Sequence, residues 1–150
     1  MRLTRRAVLT DLGPLLELYL HLNPSAPVLS ADKAQEIWSD LLSRQGVAVF
    51  VCVFDAKIVA TCTLATVPNL MRGGCPHALI ENVVTHRDFR RQGHGRAVMQ
   101  AALDAAWSED CYHVMLLTGR KDPAVLCFYE SCGFEAGIKA GLVARRPNAR

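Results

Sequence analysis

Apolar positions along the chain change period several times, and each change marks an element. Arg2 to Ala7 alternates like an opening strand, and Thr10-Asp11 then offers a cap to a helix with an apolar face of Leu12, Leu15, Leu16, Tyr19 and Leu20. Ser30 caps a second predicted helix bearing Ala34, Ile37, Trp38, Leu41 and Leu42, closed by Gly46. Between the two, Asn23-Pro24-Ser25-Ala26-Pro27 cannot be regular. Val47 to Phe54 and Lys57 to Thr66 are rich in β-branched residues and predict a hairpin turning at Asp55-Ala56. A long connection from Val67 to His77 leads to an apolar strand, Ala78 to Thr85, and a helical run follows from Ala97 to Trp107. Tyr112 to Leu117 predicts a buried strand, Pro123 to Ser131 a helix with proline in its first turn, and Gly137 to Ala144 a last strand. The order is that of an α/β protein with a mixed sheet. With 150 residues and no linker, repeat or low-complexity run, one domain spanning 1–150 is expected.

Charge narrows the partners only a little. A formal +3 suits an anionic small molecule, but no aromatic residues interleave with a basic stripe, so nucleic acid is not indicated. No apolar stretch approaches about 18 residues and the N-terminus has no signal-peptide pattern, which predicts a soluble, cytoplasmic protein. Of the six cysteines, Cys52, Cys62, Cys111 and Cys127 fall in apolar runs and read as buried thiols, whereas Cys75 lies in a glycine-rich loop. No Cys-x-x-Cys spacing or His/Cys ligand set indicates a metal.

Between the central strand and the following helix lies Arg90-Arg91-Gln92-Gly93-His94-Gly95-Arg96-Ala97. Glycines let a ligand reach the main chain, amides at a helix N-terminus face it, and three arginines add charge, so a pyrophosphate is the expected ligand. A P-loop would need Gly-Lys-Ser/Thr where Gly95 is followed by Arg96-Ala97, and a dinucleotide fingerprint would need a third glycine where Val98 stands.

These residues resemble the acyl-CoA pyrophosphate loop of the GNAT N-acetyltransferase superfamily, and Asp122-Pro123 through Phe128-Tyr129-Glu130 to Cys132-Gly133-Phe134 resembles a second motif of that family. The resemblance spans Leu79 to Phe134. It implies a mixed, mostly antiparallel sheet flanked by helices and splayed where acetyl-CoA enters, and direct acetyl transfer to a primary amine of a small molecule or protein. A homodimer is compatible with it. Cofactor contacts are expected from Arg90, Arg91, Gln92, Gly93, His94, Gly95 and Arg96, from the main chain of Val83, Val84 and Thr85, and from Asp122. Three positions depart from the family pattern: Arg91 stands where glycine is commonest, His94 where an aliphatic residue is common, and Asp122 in place of asparagine. Arg91 is compatible with phosphate binding if its φ is negative.

Acyl transfer needs a proton acceptor for the amine, an oxyanion donor and an acid for the thiolate. Tyr129 resembles the family's tyrosine near the CoA sulfur and is the candidate acid. Glu81, a carboxylate inside an apolar strand, is the candidate base, equally readable as the partner of an arginine at a strand edge. Alternation sends Asn82 to the opposite face, so at most one of the two faces the acceptor. Arg72, with Asn82, is the candidate acceptor contact, and its charge would favour a carboxylate or phosphate. His77 and His86 are weaker candidates for a proton relay. A non-catalytic acyl-CoA sensor remains the alternative, although a pure binder needs neither Tyr129 nor Glu81.

Overall fold

The computed structural model describes residues 1–147. The chain divides into two compact units, Met1–Leu116 and Leu117–Arg150.

The first unit is built on a five-stranded sheet in sequential order: β1 (Arg2–Arg6), β2 (Val47–Phe54), β3 (Lys57–Val67), β4 (His77–Thr85) and β5 (Val114–Met115). All neighbours are antiparallel except β4 and β5, which run parallel. The predicted hairpin forms as expected. Asp55 (φ 47°) and Ala56 (φ 63°) both lie in the left-handed region, the requirement of a tight turn matched to strand twist.

Helices α1 (Leu12–Tyr19) and α2 (Ala31–Ser43) cover one face. There Leu15, Leu18, Trp38, Val49, Val51 and Val84 form a core cluster, each side chain contributing about 1.5–3 kcal/mol through apolar burial. Trp38 satisfies its indole by donating to the Leu9 carbonyl at 3.1 Å. Ser30 caps α2 as predicted, its hydroxyl accepting from the Lys33 amide. Asp11 is different. It does not cap α1 with its side chain; its buried carboxylate takes both guanidinium nitrogens of Arg5 at 2.7 and 3.0 Å and the Val8 amide at 2.8 Å, closing the short 3-10 turn Leu9–Asp11. The Arg5 hydrogen bond holds that carboxyl below its ordinary range.

The opposite face packs on α3 (His94–Ser108), whose Val98, Met99, Ala102 and Ala106 are fully buried. The Cys62 thiol donates to the Val98 carbonyl at 3.4 Å, and burial pushes it up to about 12, which makes it an inert core thiol. α3 starts three residues before the predicted run because His94, Gly95 and Arg96 already belong to its first turn.

Two predicted strands are corrected. The run Tyr112 to Leu117 is a strand only at Val114–Met115, since its parallel neighbour pairs with it at just two positions, Ala78 to Val114 and Leu79 to Met115. In the second unit, Gly137 to Ala144 makes no strand among the described residues. Its apolar residues Ile138, Leu142 and Val143 are exposed and no ladder fixes them, so alternation alone does not produce a strand there. That unit carries α4 (Pro123–Ser131), whose bounds are those predicted. Cys127 on α4 is exposed, contrary to its apolar context. Among the described residues no helix is long and apolar enough to cross a membrane.

Candidate active site

The central strand β4 is paired on both sides only at its start. Beyond Leu79 the β5 ladder stops, so Ile80 to Thr85 keep β3 as their strand neighbour and the sheet opens on the other side. Within this one-sided stretch lies a bulge. Thr61 pairs with Val84 and Thr63 with Glu81, so Asn82 and Val83 together oppose the single residue Cys62, and Asn82 takes φ 52°. Glu81 keeps a regular partner in Thr63 while Asn82 belongs to the bulge opposite Cys62, and both residues are exposed. Glu81 also lies outside every ion pair among the described residues, so the arginine-paired reading does not hold. Nor is it a buried carboxylate: Glu81 is exposed on the strand. Val84 is buried in the core cluster, leaving only its main chain for a ligand, while Val83 and Thr85 are half-buried.

From Thr85 the chain passes through His86, whose Nδ1 accepts from the Asp88 amide at 3.2 Å and caps a short 3-10 turn at Arg87–Phe89. That bond gives His86 a structural task. Arg90 turns back so that its Nε donates to the Thr85 carbonyl at 3.3 Å, and Gln92 donates to the Asp88 carbonyl at 3.2 Å. These contacts fold the loop on itself. Gly93, with φ 83°, is the N-cap of α3 and has no side chain to cap it, so the first-turn amides are left for a ligand. Arg91 departs from expectation: its φ is 59°, the conformation that glycine adopts freely and other residues adopt at a cost of about 1–2 kcal/mol. Arg91 and Arg96 are exposed beside this turn.

His94 is the larger correction. Its imidazole does not join the loop's ligand face but is 3 % exposed, under the sheet. Nδ1 lies 3.5 Å from the Cys52 thiol, and the rings of Phe54 and Phe89 flank it at 4.9 and 6.1 Å. Burial, with the Arg2 cation nearby, holds its pKa below the ordinary histidine value. An aromatic core residue thus replaces the aliphatic one, and only the His94 main chain remains available to a cofactor. Gly95 is buried in the same turn.

At the other end of β4, Arg72 begins a short 3-10 turn and its guanidinium sits over the Tyr112 ring, 5.4 Å from the centroid. His77 neighbours Tyr112 and His113 in the same aromatic group. The exposed Arg72 and Glu81 are thus carried by one strand and the connection entering it.

In the second unit, Asp122 caps α4, its Oδ1 accepting from the Ala124 amide at 2.9 Å, and Pro123 occupies the first turn. This is a helix-starting role that the motif reading did not assign. Tyr129 is half-buried on α4, its ring against Phe128 and Phe134 at 5.2 and 6.2 Å. The Tyr129 carbonyl accepts from the amides of Cys132 and Phe134, which ends the helix. Sequence reasoning missed the bulge at Asn82 and the inward turn of His94; the departure of His94 from the aliphatic pattern was its one available signal.

An opened parallel edge, a bulged strand and a glycine-capped helix thus follow one another along β4 and its exit into α3. The chain belongs to the acetyltransferase (GNAT) family, whose pattern matches residues 15–134. It is 35% identical over 129 residues to glucosamine 6-phosphate N-acetyltransferase of Trypanosoma brucei brucei, covering 85% of this chain and 84% of that one. Among solved structures, a protein of Agrobacterium tumefaciens str. C58 superposes with a TM-score of 0.91 at 48% identity over 96% of this chain and 99% of that chain. An acetyltransferase of Trypanosoma brucei gives 0.82 at 30% identity, over 97% and 100%. This chain is an acetyl-CoA-dependent N-acetyltransferase, and the sensor alternative falls away.

Proposed function

We propose that this chain acetylates the primary amine of a small amino sugar phosphate. The observation that carries this reading is the 35% identity, over most of both chains, to a protein named for glucosamine 6-phosphate. Arg72, exposed at the entrance to β4, supports it as a cation for the acceptor phosphate, and the exposed Asn82 is a further polar contact for the acceptor.

In the reaction the amine nitrogen attacks the thioester carbonyl, a carbon–nitrogen bond forms and the carbon–sulfur bond breaks. Glu81, directly or through water, takes the proton released by the amine. Val83, Val84 and Thr85 hold the pantetheine through main-chain groups that the missing β5 pairing leaves without a strand partner. Amides of the Arg91 to Arg96 loop hold the pyrophosphate, Arg90, Arg91 and Arg96 add charge, and Asp122 borders the cofactor. Tyr129 gives its phenolic proton to the departing thiolate. We read residues 1–150 as one catalytic domain working in the cytoplasm, where cysteines such as these stay reduced.

The acceptor is tested by thiol release from acetyl-CoA with glucosamine 6-phosphate, glucosamine and simple amino acids. Highest kcat/KM for the phosphorylated sugar is expected, with Arg72→Ala raising its KM alone. Equal or faster turnover of an unphosphorylated amine would sink the assignment. For Tyr129→Phe, single-turnover acetyl transfer should slow by about 10 to 10³-fold while acetyl-CoA binding stays close to wild type. A full rate would make the phenol a packing group.

A further inference from the structure

The loop that receives the pyrophosphate has a neighbour from the far edge of the sheet. Arg2 opens β1, three strands away from β4, and pairs with Phe54 at the end of the hairpin. Its side chain reaches Gly93: a Cβ placed on that glycine would lie 3.1 Å from Arg2 Nη1. The same cation is felt by the buried His94 and by Cys52. No carboxylate answers it. The N-terminal ammonium takes Asp55 and Arg5 takes Asp11, and Arg2 is in none of the ion pairs or side-chain hydrogen bonds among the described residues. A guanidinium held at the amide end of a 15-residue helix stands against the positive pole of the macrodipole, an arrangement that an anion between them would reverse.

We propose that Arg2 is a further cofactor-binding residue, contributing a charged contact to the pyrophosphate of acetyl-CoA from the opposite edge of the sheet. The inference rests on the loop reading given above. It explains why a strand otherwise remote from the opened edge carries a cation to the glycine N-cap. It also assigns β1 a task beyond closing the hairpin side of the sheet. Because the contact is made to the bound cofactor in ground state and transition state alike, its loss should appear in KM and leave kcat in place.

The experiment measures acetyl transfer with Arg2→Ala, Arg2→Gln and Arg2→Lys, using acetyl-CoA and acetyl-dephospho-CoA. Arg2→Ala and Arg2→Gln should raise the acetyl-CoA KM about 10-fold with kcat unchanged, Arg2→Lys should recover part of the loss, and the salt dependence of KM should weaken. The same factor is expected with acetyl-dephospho-CoA, since the pyrophosphate is retained there. A defect seen only with acetyl-CoA would move the contact to the 3′-phosphate and overturn the assignment. Gly93→Asp separates the two levels of the argument. If it raises the acetyl-CoA KM and the Arg2 variants do not, the inference fails alone; if Gly93→Asp leaves KM unchanged, the loop reading fails with it. Thermal unfolding of each variant confirms a folded enzyme, and Gln keeps a polar side chain at the strand residue without its charge.

Discussion

Both connections flanking β4 combine arginine and glycine in left-handed conformations. Before the strand stand Arg72 (φ 56°), Gly73 (φ 68°) and Gly74 (φ 83°); after it stand Arg91 (φ 59°) and Gly93 (φ 83°). Their surroundings separate them. The first runs from one strand to the next, its turn residues exposed, with its arginine resting on the Tyr112 ring. The second delivers Gly93 to the N-terminus of α3, where helix amides point outward and His94, buried under the sheet, pins the turn. Arginine and glycine make a phosphate loop only where a helix end supplies donors and a core residue fixes their position. The same composition without a helix leaves an exposed turn whose arginine can serve a different ligand.

The strand between the two connections carries the largest expected effect. Glu81→Gln keeps the shape of the side chain and removes the carboxylate, so kcat should fall about 10²-fold or more. An unchanged kcat in the folded variant would leave the two connections flanking a strand without a base.

The comparison itself is tested by placing one charge in each turn. Gly93→Asp and Gly74→Asp both place a side chain on a backbone with φ 83°, the first against the end of the flexible Arg2 side chain and the second in open space. Only the first sets a carboxylate at the helix N-terminus, the position proposed for the cofactor anion. Loss of about 2 kcal/mol of charge-assisted binding would raise the acetyl-CoA KM about 30-fold for Gly93→Asp. For Gly74→Asp it should stay within about 2-fold, the spread expected of a surface change. Similar increases in both would show that strain, not charge at a phosphate site, governs the response.

A smaller effect concerns the residue that pins the second turn. His94 is folded in its neutral form, because burial first and the Arg2 cation second lower its pKa from 6.5. A depressed imidazole contributes stability above its unfolded value, and that contribution is lost as pH falls below about 6.5 toward the folded value. Wild-type stability should therefore decline between pH 7 and pH 5 more steeply than that of His94→Leu, which fills the space beside Phe54 and Phe89 without titrating. Chemical denaturation at several pH values gives the slopes. Parallel slopes would mean that the histidine titrates alike folded and unfolded.

How much of this was legible in the sequence depended on whether the signal was local. The hairpin, the Ser30 cap, α4 and the glycine entry to α3 are written in adjacent residues, and each lies where its turn or cap chemistry puts it. What failed was long-range. Asn82 and Val83 stand together opposite Cys62 because β3 offers one residue against two, a register that no window along β4 contains. His94 turns inward because Cys52 and Phe54, some forty positions earlier, leave it a place. Gly137 to Ala144 alternates like a strand, yet alternation supplies half of a ladder and the neighbour supplies the rest. The two motifs named the chemistry correctly, because residue types at fixed spacing carry it, but side-chain directions came only from the fold.

The last test asks what the left-handed arginines cost. In the family pattern the Arg91 position is commonly glycine, and its φ of 59° explains why: a Cβ meets its own carbonyl there, at about 1–2 kcal/mol. Arg91→Gly removes that strain but adds flexibility to the unfolded chain worth about 0.5–1 kcal/mol. A net gain of up to about 1 kcal/mol should remain, raising Tm by about 2–4 °C for a chain of this size. Arg72→Gly, at φ 56°, should gain a similar amount less its contact with Tyr112. The cofactor distinguishes them. Loss of one exposed cation at the phosphate loop should raise the acetyl-CoA KM about 2- to 5-fold in Arg91→Gly and leave it unchanged in Arg72→Gly. If Arg91→Gly lowers Tm while KM holds, the side chain is a structural support rather than a strained phosphate ligand, and the second connection loses one of the three cations that set it apart from the first.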